Sequence, residues 1–357
     1  MKYLRVGLCL LLVTAAIQLA TAQEQDDIED YDDFDISQFE DTGNSKAFCT
    51  NKVLGQSPTA LISLGYDVQG PANLSTPAIG SYDEERAEWQ LASGFRFNSN
   101  VPIVSKNSIL VNWGLNFTHL KYHSGNDVIY QNPLNATLDD FHLNWLNTNI
   151  TVFKPLNDRH FLLAQAGVEL NGDYSFSEGP SLRNGRVPLA LIFGFKPNDR
   201  FIWGPGISRT YLGGGLNVIP VIYYFRTFQN DKWGVEALFP GRIQARYRTN
   251  SRNVWLVGYN VEGATYRLSN FSRVPGANTV TTEPVELRRS EIRAGFTYTR
   301  GLNDFIWVGV QAGYRINYSF ELDEGEFFRG FDDEGYLQEN ELENTWYLQF
   351  SISLVSP

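Results

Sequence analysis

Few side chains in this sequence could do acid–base or nucleophilic chemistry. The histidines are His119, His123, His142 and His160, too scattered for the spacing of a metal site. His123 is followed by Ser124, with Asp127 close by, the nearest approach to a base, a nucleophile and an orienting acid. Neighbouring residues on an extended chain point to opposite faces, so His123 and Ser124 would not bond each other. The plainer reading is a polar pair at the start of a loop. Cys9 sits in a segment expected to be removed, which leaves Cys49 as the mature thiol and excludes a disulfide framework or a cysteine metal cluster. No catalytic residue, metal or cofactor is expected, and the chain reads as a non-enzyme.

Charged residues form a second set. Arg96, Lys196, Arg242, Arg246, Arg248, Arg293 and Arg315 fall on the polar side of alternating stretches, against Asp67, Glu169, Glu236, Glu262 and Glu291. On the inside of a barrel they would either line a passage whose excess of bases favours anions, or pair with one another and fill it. A third group, Glu321, Asp323, Glu324, Glu326, Asp332, Asp333 and Glu334, is interleaved with Phe327, Phe328 and Phe331. It reads as a solvated outer loop able to bind a cation, a sugar or a protein.

The start of the chain sets its address. Lys2 and Arg5 precede an apolar run from Val6 to Ala20, and Ala20, Thr21 and Ala22 make an A-x-A-like cleavage site, so residues 1–22 read as a signal peptide. Ten acids and no base follow between Glu24 and Asp41. Residues 23–55 are therefore expected to be an acidic, flexible leader, which could be solvated or could dock on the barrel arginines. The formal charge of −11 becomes −13 once the two signal bases leave, and −3 after Asp41. A body this close to neutral has no basic face for nucleic acid.

From residue 56 to 357 the hydropathy alternates with period two. Trp346, Leu348, Phe350, Ile352 and Leu354 oppose Tyr347, Gln349, Ser351 and Ser353. Ile306, Val308, Val310, Ala312, Tyr314, Ile316, Tyr318 and Phe320 oppose Trp307, Gly309, Gln311, Gly313, Arg315, Asn317 and Ser319. Trp89, Leu91, Phe95 and Phe97 against Gln90, Gly94, Arg96 and Asn98 repeat the scheme, as do Trp113 to Phe117 and Trp255 to Val261. Runs this long exceed the ~5 to 6 residues of an ordinary soluble strand and suit one face to lipid and the other to water.

Connections alternate in length. Short ones fall at Pro155–Asp158, Pro197–Asp199, Gln229–Asp231, Asn250–Asn253 and Gly301–Asp304, and two of them, in Lys154–Arg159 and Lys196–Arg200, look like one turn reused. Long ones fall near 70–85, 123–137, 173–185, 269–283 and 322–342. These features predict an all-β, transmembrane, antiparallel up-and-down β-barrel. The strand count is fourteen if Pro240-Gly241 is a tight turn and twelve if that stretch is irregular. Trp89, Trp145, Trp233 and Trp346 are candidates for the interfacial aromatic girdles.

The stretch from Leu216 to Asn270, with Ile219-Pro220, Asp231-Lys232-Trp233, Leu238-Phe239-Pro240 and the run from Trp255 to Tyr266, resembles an uncharacterised outer-membrane β-barrel family of the Bacteroidota. The resemblance implies fold and address, the outer membrane of a Gram-negative bacterium with the N-terminus in the periplasm. Partners implied are outer-membrane lipids, the barrel-assembly machinery and small solutes. The expected role is a passive channel or solute-binding, porin-like barrel. The alternatives are a lipid-modifying enzyme using the His123 region and a structural or surface-binding barrel without conductance.

Overall fold

The computed structural model describes residues 50–125, 128–175, 179–180, 182, 185–212, 215–271, 285–324 and 336–356. The signal segment, the leader to residue 49, Asp127 and the carboxylates from 326 to 334 lie outside the described residues.

Alternation becomes strand after strand. The barrel strands are β1 (Ala60–Gln69), β2 (Glu85–Lys106), β3 (Ile109–Ser124), β4 (Leu143–Pro155), β5 (His160–Gly172), β6 (Leu189–Asn198) and β7 (Phe201–Thr210). They continue with β8 (Asn217–Thr227), β9 (Trp233–Phe239), β10 (Arg242–Asn250), β11 (Asn253–Leu268), β12 (Val285–Gly301), β13 (Ile306–Glu324) and β14 (Thr345–Val355). Each pairs antiparallel with its sequence neighbour, and β1 pairs with both β2 and β14, so fourteen strands close on themselves. Closure leaves no edge with unpaired backbone groups in an apolar medium. The Pro240-Gly241 turn between β9 and β10 is what makes the count fourteen.

One device ends most strands at the short-turn end. Asn157, Asn198, Asn230, Asn250 and Asn303 each turn the side-chain oxygen back to accept from a backbone N–H two residues on, at 2.9–3.2 Å in every case. Asparagine makes this local bond at little conformational cost, so each turn is written into the chain beside it.

Strand length is uneven, and this shapes the molecule. Strands β6 to β10 have 7–11 residues, while β2, β3, β11, β12 and β13 have 16–22. About 9 to 11 tilted residues cross a bilayer, so the long strands project beyond it on the long-loop side. There β5 and β11 meet directly through a parallel bridge between Gly172 and Arg267. The Asp173 carboxylate reinforces the seam by accepting from the N–H groups of Ser269 and Asn270, both at 2.8 Å. On the other side, short strands Ala72–Thr76, Gln338–Glu339 and Glu341–Leu342 fill in between β2 and β13. A narrower turret thus stands on the fourteen-stranded base without β6 to β10.

The turret has a dry core. Leu74, Ala87, Trp89, Leu120, Tyr122, Leu143, Tyr266, Leu287, Phe320 and Leu322 all point inward and are buried. Helix α1 (Pro133–Asp140) contributes Leu134 and Leu138 to it. Asn132 caps α1 by accepting from the Leu134 N–H, and Pro133 opens its first turn. The Glu85 carboxylate holds the entry through the N–H groups of Gln131 and Asn132.

The outer surface divides at the same height. Leu64, Phe95, Trp113, Ile150, Val168, Leu191, Ile207, Val218, Val257, Phe296 and Ile352 stand exposed around the base. Such a continuous apolar belt is what lipid covers and water does not. On the turret the outward positions turn polar, with Arg86 and Glu88 on β2, Lys121 and His123 on β3, Arg267 on β11 and Arg288 on β12.

Three expectations are corrected. Trp89 is inside the turret core, 2% exposed, because a bulge between Trp89 and Leu91 reverses the facing of β2 above it. Trp145 also packs against that core, whereas Trp233 and Trp346 are exposed. Phe320 is buried because the register of β13 slips at Tyr318, opposite the Ser290–Glu291 step of β12, and turns the residues beyond it over.

Candidate functional site

The lumen is crossed in the middle by a network of ionised side chains. Arg293 of β12 grips the Asp67 carboxylate of β1 with both terminal nitrogens, at 3.1 and 2.8 Å. Its Nε donates to Glu291 at 2.6 Å. Arg289 donates to the same Glu291 at 2.5 Å, and Arg315 of β13 lies 3.9 Å from it. Arg96 of β2 donates twice to Glu262 of β11, at 3.2 and 2.7 Å, and reaches Asp67 at 3.3 Å. Arg315 also bonds the side-chain carbonyl of Gln69. The Arg293 guanidinium lies over the Tyr347 ring at 5.0 Å.

Several of these contacts join strands that are not neighbours, Arg293–Asp67 and Arg96–Glu262 being the widest. β1 and β12 are separated by β13 and β14, and β2 and β11 by four strands, so the pairs span the lumen as chords. Asp67, Glu291, Arg293 and Arg315 are each no more than 2% exposed. Four arginines face three carboxylates, and charges so withdrawn from water are tolerable only because they are paired and hydrogen-bonded.

Beside the network the wall is mostly amide, with a single carboxylate. Asn116, Asn147, Asn149 and Glu169 face inward on β3, β4 and β5, and the Asn147 side-chain oxygen accepts from Asn116 at 3.2 Å and from Asn149 at 2.7 Å. Asn98 and Gln165 also face inward, yet they are exposed, so this side of the lumen is accessible to water.

Residues 50–57 enter the short-turn mouth. Val53 is 4% exposed among Phe153, Phe161, Ile202 and Phe225. Lys196 donates to the Lys52 carbonyl at 2.9 Å, the Leu54 N–H donates to the Asp199 carbonyl at 2.8 Å, and the Ser57 N–H donates to Glu236 at 2.9 Å. Arg246 fixes that Glu236 at 2.8 Å and donates to Thr227 at 2.6 Å.

The seven bases singled out in the sequence, together with Glu262, therefore separate into three groups. Arg96, Glu262, Arg293 and Arg315 belong to the central network. Lys196 and Arg246 hold the N-terminal segment, directly or through Glu236. Arg242 is exposed at the upper end of β10, and Arg248 bonds the Ser251 carbonyl at the short-turn end, so neither reaches the network. Arg289 belongs with the first group and was not anticipated. The signal for it is the spacing Arg289-x-Glu291-x-Arg293, three charges on one face of one strand.

The histidine lead resolves differently. His123 bonds Ser93 through Nε2 at 3.0 Å, while Ser124 donates to Asp139 at 2.7 Å, so the adjacent pair does point apart. Among the described residues no group of histidine, cysteine and carboxylate side chains could hold a metal. Outside the spanning strands, His142 and Asp173 are both displaced in acidity. Burial, then His119 and Lys121, pulls the His142 imidazole down to about 4. Burial pushes the Asp173 carboxyl up to about 6 against the N–H bonds it accepts.

The sequence profile of a family described as "Domain of unknown function (DUF6268)" matches residues 131–355. No curated protein matches the chain. An outer-membrane channel from Pseudomonas putida F1 is similar over 84% of this chain and 97% of its own, at 10% identity and a TM-score of 0.35. A FadL homologue from Pseudomonas aeruginosa is similar over 87% and 99%, at 8% identity and 0.34. The Pseudomonas putida toluene transporter TodX is similar over 87% and 94%, at 10% identity and 0.32. Likeness of that degree identifies neither a substrate nor a mechanism.

Proposed function

We propose, for a chain that belongs to the DUF6268 family of domains of unknown function, that it is a gated outer-membrane channel for small polar solutes. Its address would be the outer membrane of a Gram-negative bacterium, with Bacteroidota the group implied by the sequence resemblance. The N-terminus and short turns would face the periplasm, and lipids and the assembly machinery would be its standing partners.

The observation that carries this reading is the contrast between two fillings within one barrel. The turret is closed by apolar side chains, the stable way to fill a cavity. The base is crossed instead by ion pairs beside a wet amide wall. Replacing a buried ion pair by apolar residues is often neutral or stabilising by ~1–4 kcal/mol, so a mere membrane anchor would be better served by the turret's solution. Ionised chords can part and be rehydrated when a polar solute arrives.

The test is conductance. In planar bilayers the full chain should open rarely, and removal of residues 24–57 should raise both open time and unit conductance, because Val53 and the hydrogen bonds of Lys52, Leu54 and Ser57 leave the mouth. Silence from both forms would favour the second reading, a non-conducting scaffold, to which the burial of Arg293 and Glu291 also lends support.

A further inference from the structure

Above the network a solute meets two closures of different kinds. On the barrel axis stands the turret core, whose 21 buried residues form one continuous apolar cluster. Parting it would expose that whole surface to water, at roughly 25 cal/mol for each Å². To one side stands the low wall of β6 to β10, which ends beneath the turret. Here the closure is polar. Arg186 lies opposite Glu169 in the strand ladder, so it faces into the barrel. From there it pairs with Glu286 on the outer face of β12, and both are less than 9% exposed. Tyr211 packs against the same guanidinium at 5.9 Å. The Leu212 carbonyl accepts from Ser290 at 2.8 Å and from Tyr318 at 3.2 Å. Gly263 lets that carbonyl come close, since a Cβ there would stand 2.1 Å from it.

We propose that the lumen opens sideways, over the rim of β6 to β10 between Arg186, Tyr211 and Leu212 and the outer face of β11 and β12, and not through the turret. This inference rests on the channel reading and narrows it. A passage flanked by Glu169, Arg186 and Glu286 suits ionised or hydrogen-bonding solutes and disfavours hydrocarbons, which would desolvate those groups without replacing their bonds. The latch is a handful of polar contacts, each exchangeable for contacts with water or solute, whereas the turret core has no such substitute.

The experiment ties each closure shut in the full-length protein carrying Cys49→Ser. One variant bears Leu212→Cys with Tyr318→Cys across the rim. The other bears Asn73→Cys with Glu343→Cys, joining the turret seam where Asn73 donates to Glu343 at 2.9 Å. Each is bridged with a bis-maleimide and assayed by bilayer conductance and by liposome swelling in arabinose. Bridging the rim should abolish both signals, the unbridged rim cysteines, which lack the Tyr318 hydroxyl of the latch, should conduct at least as readily as the parent, and bridging the seam should change neither. Loss of conductance on bridging the seam, or no loss on bridging the rim, overturns the lateral route while leaving the channel reading in place. A parent that neither conducts nor swells overturns both.

Discussion

Arg293 is the residue on which the central network turns, because it serves Asp67, Glu291 and Glu262 at once. Arg293→Gln should destabilise the barrel by ~3–5 kcal/mol, since removal of one partner strands buried carboxylates. Urea titration of the heat-modifiable gel band reads this, and adding Asp67→Asn should recover part of the loss. A loss under about 1 kcal/mol would mean that water already enters and solvates the carboxylates. At the seam, Asp173 gives a pH dependence of definite sign. Its folded pKa, about 6, lies above the ordinary 3.8, so the folded state binds the proton more tightly and the contribution to stability falls as pH rises from about 4 through 6. At 1.36 kcal/mol for each unit the total is roughly 3 kcal/mol for this buried group. Amide exchange at Ser269 and Asn270, corrected for intrinsic rates, should show more protection at pH 5 than at pH 8, and Asp173→Asn should flatten the difference. A carboxyl midpoint below 4.5 by carbon NMR would count against it.

At the scale of elements, the strands were legible wherever alternation ran unbroken, as from Trp113 to Phe117 or Trp346 to Leu354, and the five asparagine turns marked where they reverse. What the sequence concealed was the bulges. An extra residue leaves the hydropathy pattern looking continuous while it turns the strand over, so Trp89 and Phe320 read as lipid-facing and are core. Helix α1 was concealed for a related reason, because Pro133–Asp140 is short and its two leucines are too few to show a period. Tertiary packing makes it a helix. Leu138, 1% exposed, should therefore carry real weight, with Leu138→Ala costing ~2–5 kcal/mol. Proteolysis after Lys121 and within 125–142 should quicken in that variant while the base keeps its gel mobility. Equal loss of both would show that turret and base unfold as one unit.

At the scale of the whole molecule, the list of inward charges was readable from parity, but their pairing was not, because parity fixes a face and cannot say which residues meet across a lumen. The chords Arg293–Asp67 and Arg96–Glu262 join positions 226 and 166 residues apart. The turret was equally hidden, since it depends on the difference in strand length between β6–β10 and their neighbours and not on any one strand. Its height fixes where lipid must end, and charge can find that boundary. Ile352 lies in the apolar belt, 61% exposed, and Ile352→Arg should cost ~2–4 kcal/mol near the midplane and slow assembly into vesicles. Glu88 is exposed on the turret face of β2, and Glu88→Arg should stay within about 0.5 kcal/mol of the parent because water solvates it before and after. Folding yield into vesicles of defined thickness compares the two directly. Similar costs at both positions would place the turret inside the bilayer, and the polar rim over β6 to β10 would then open to lipid instead of water.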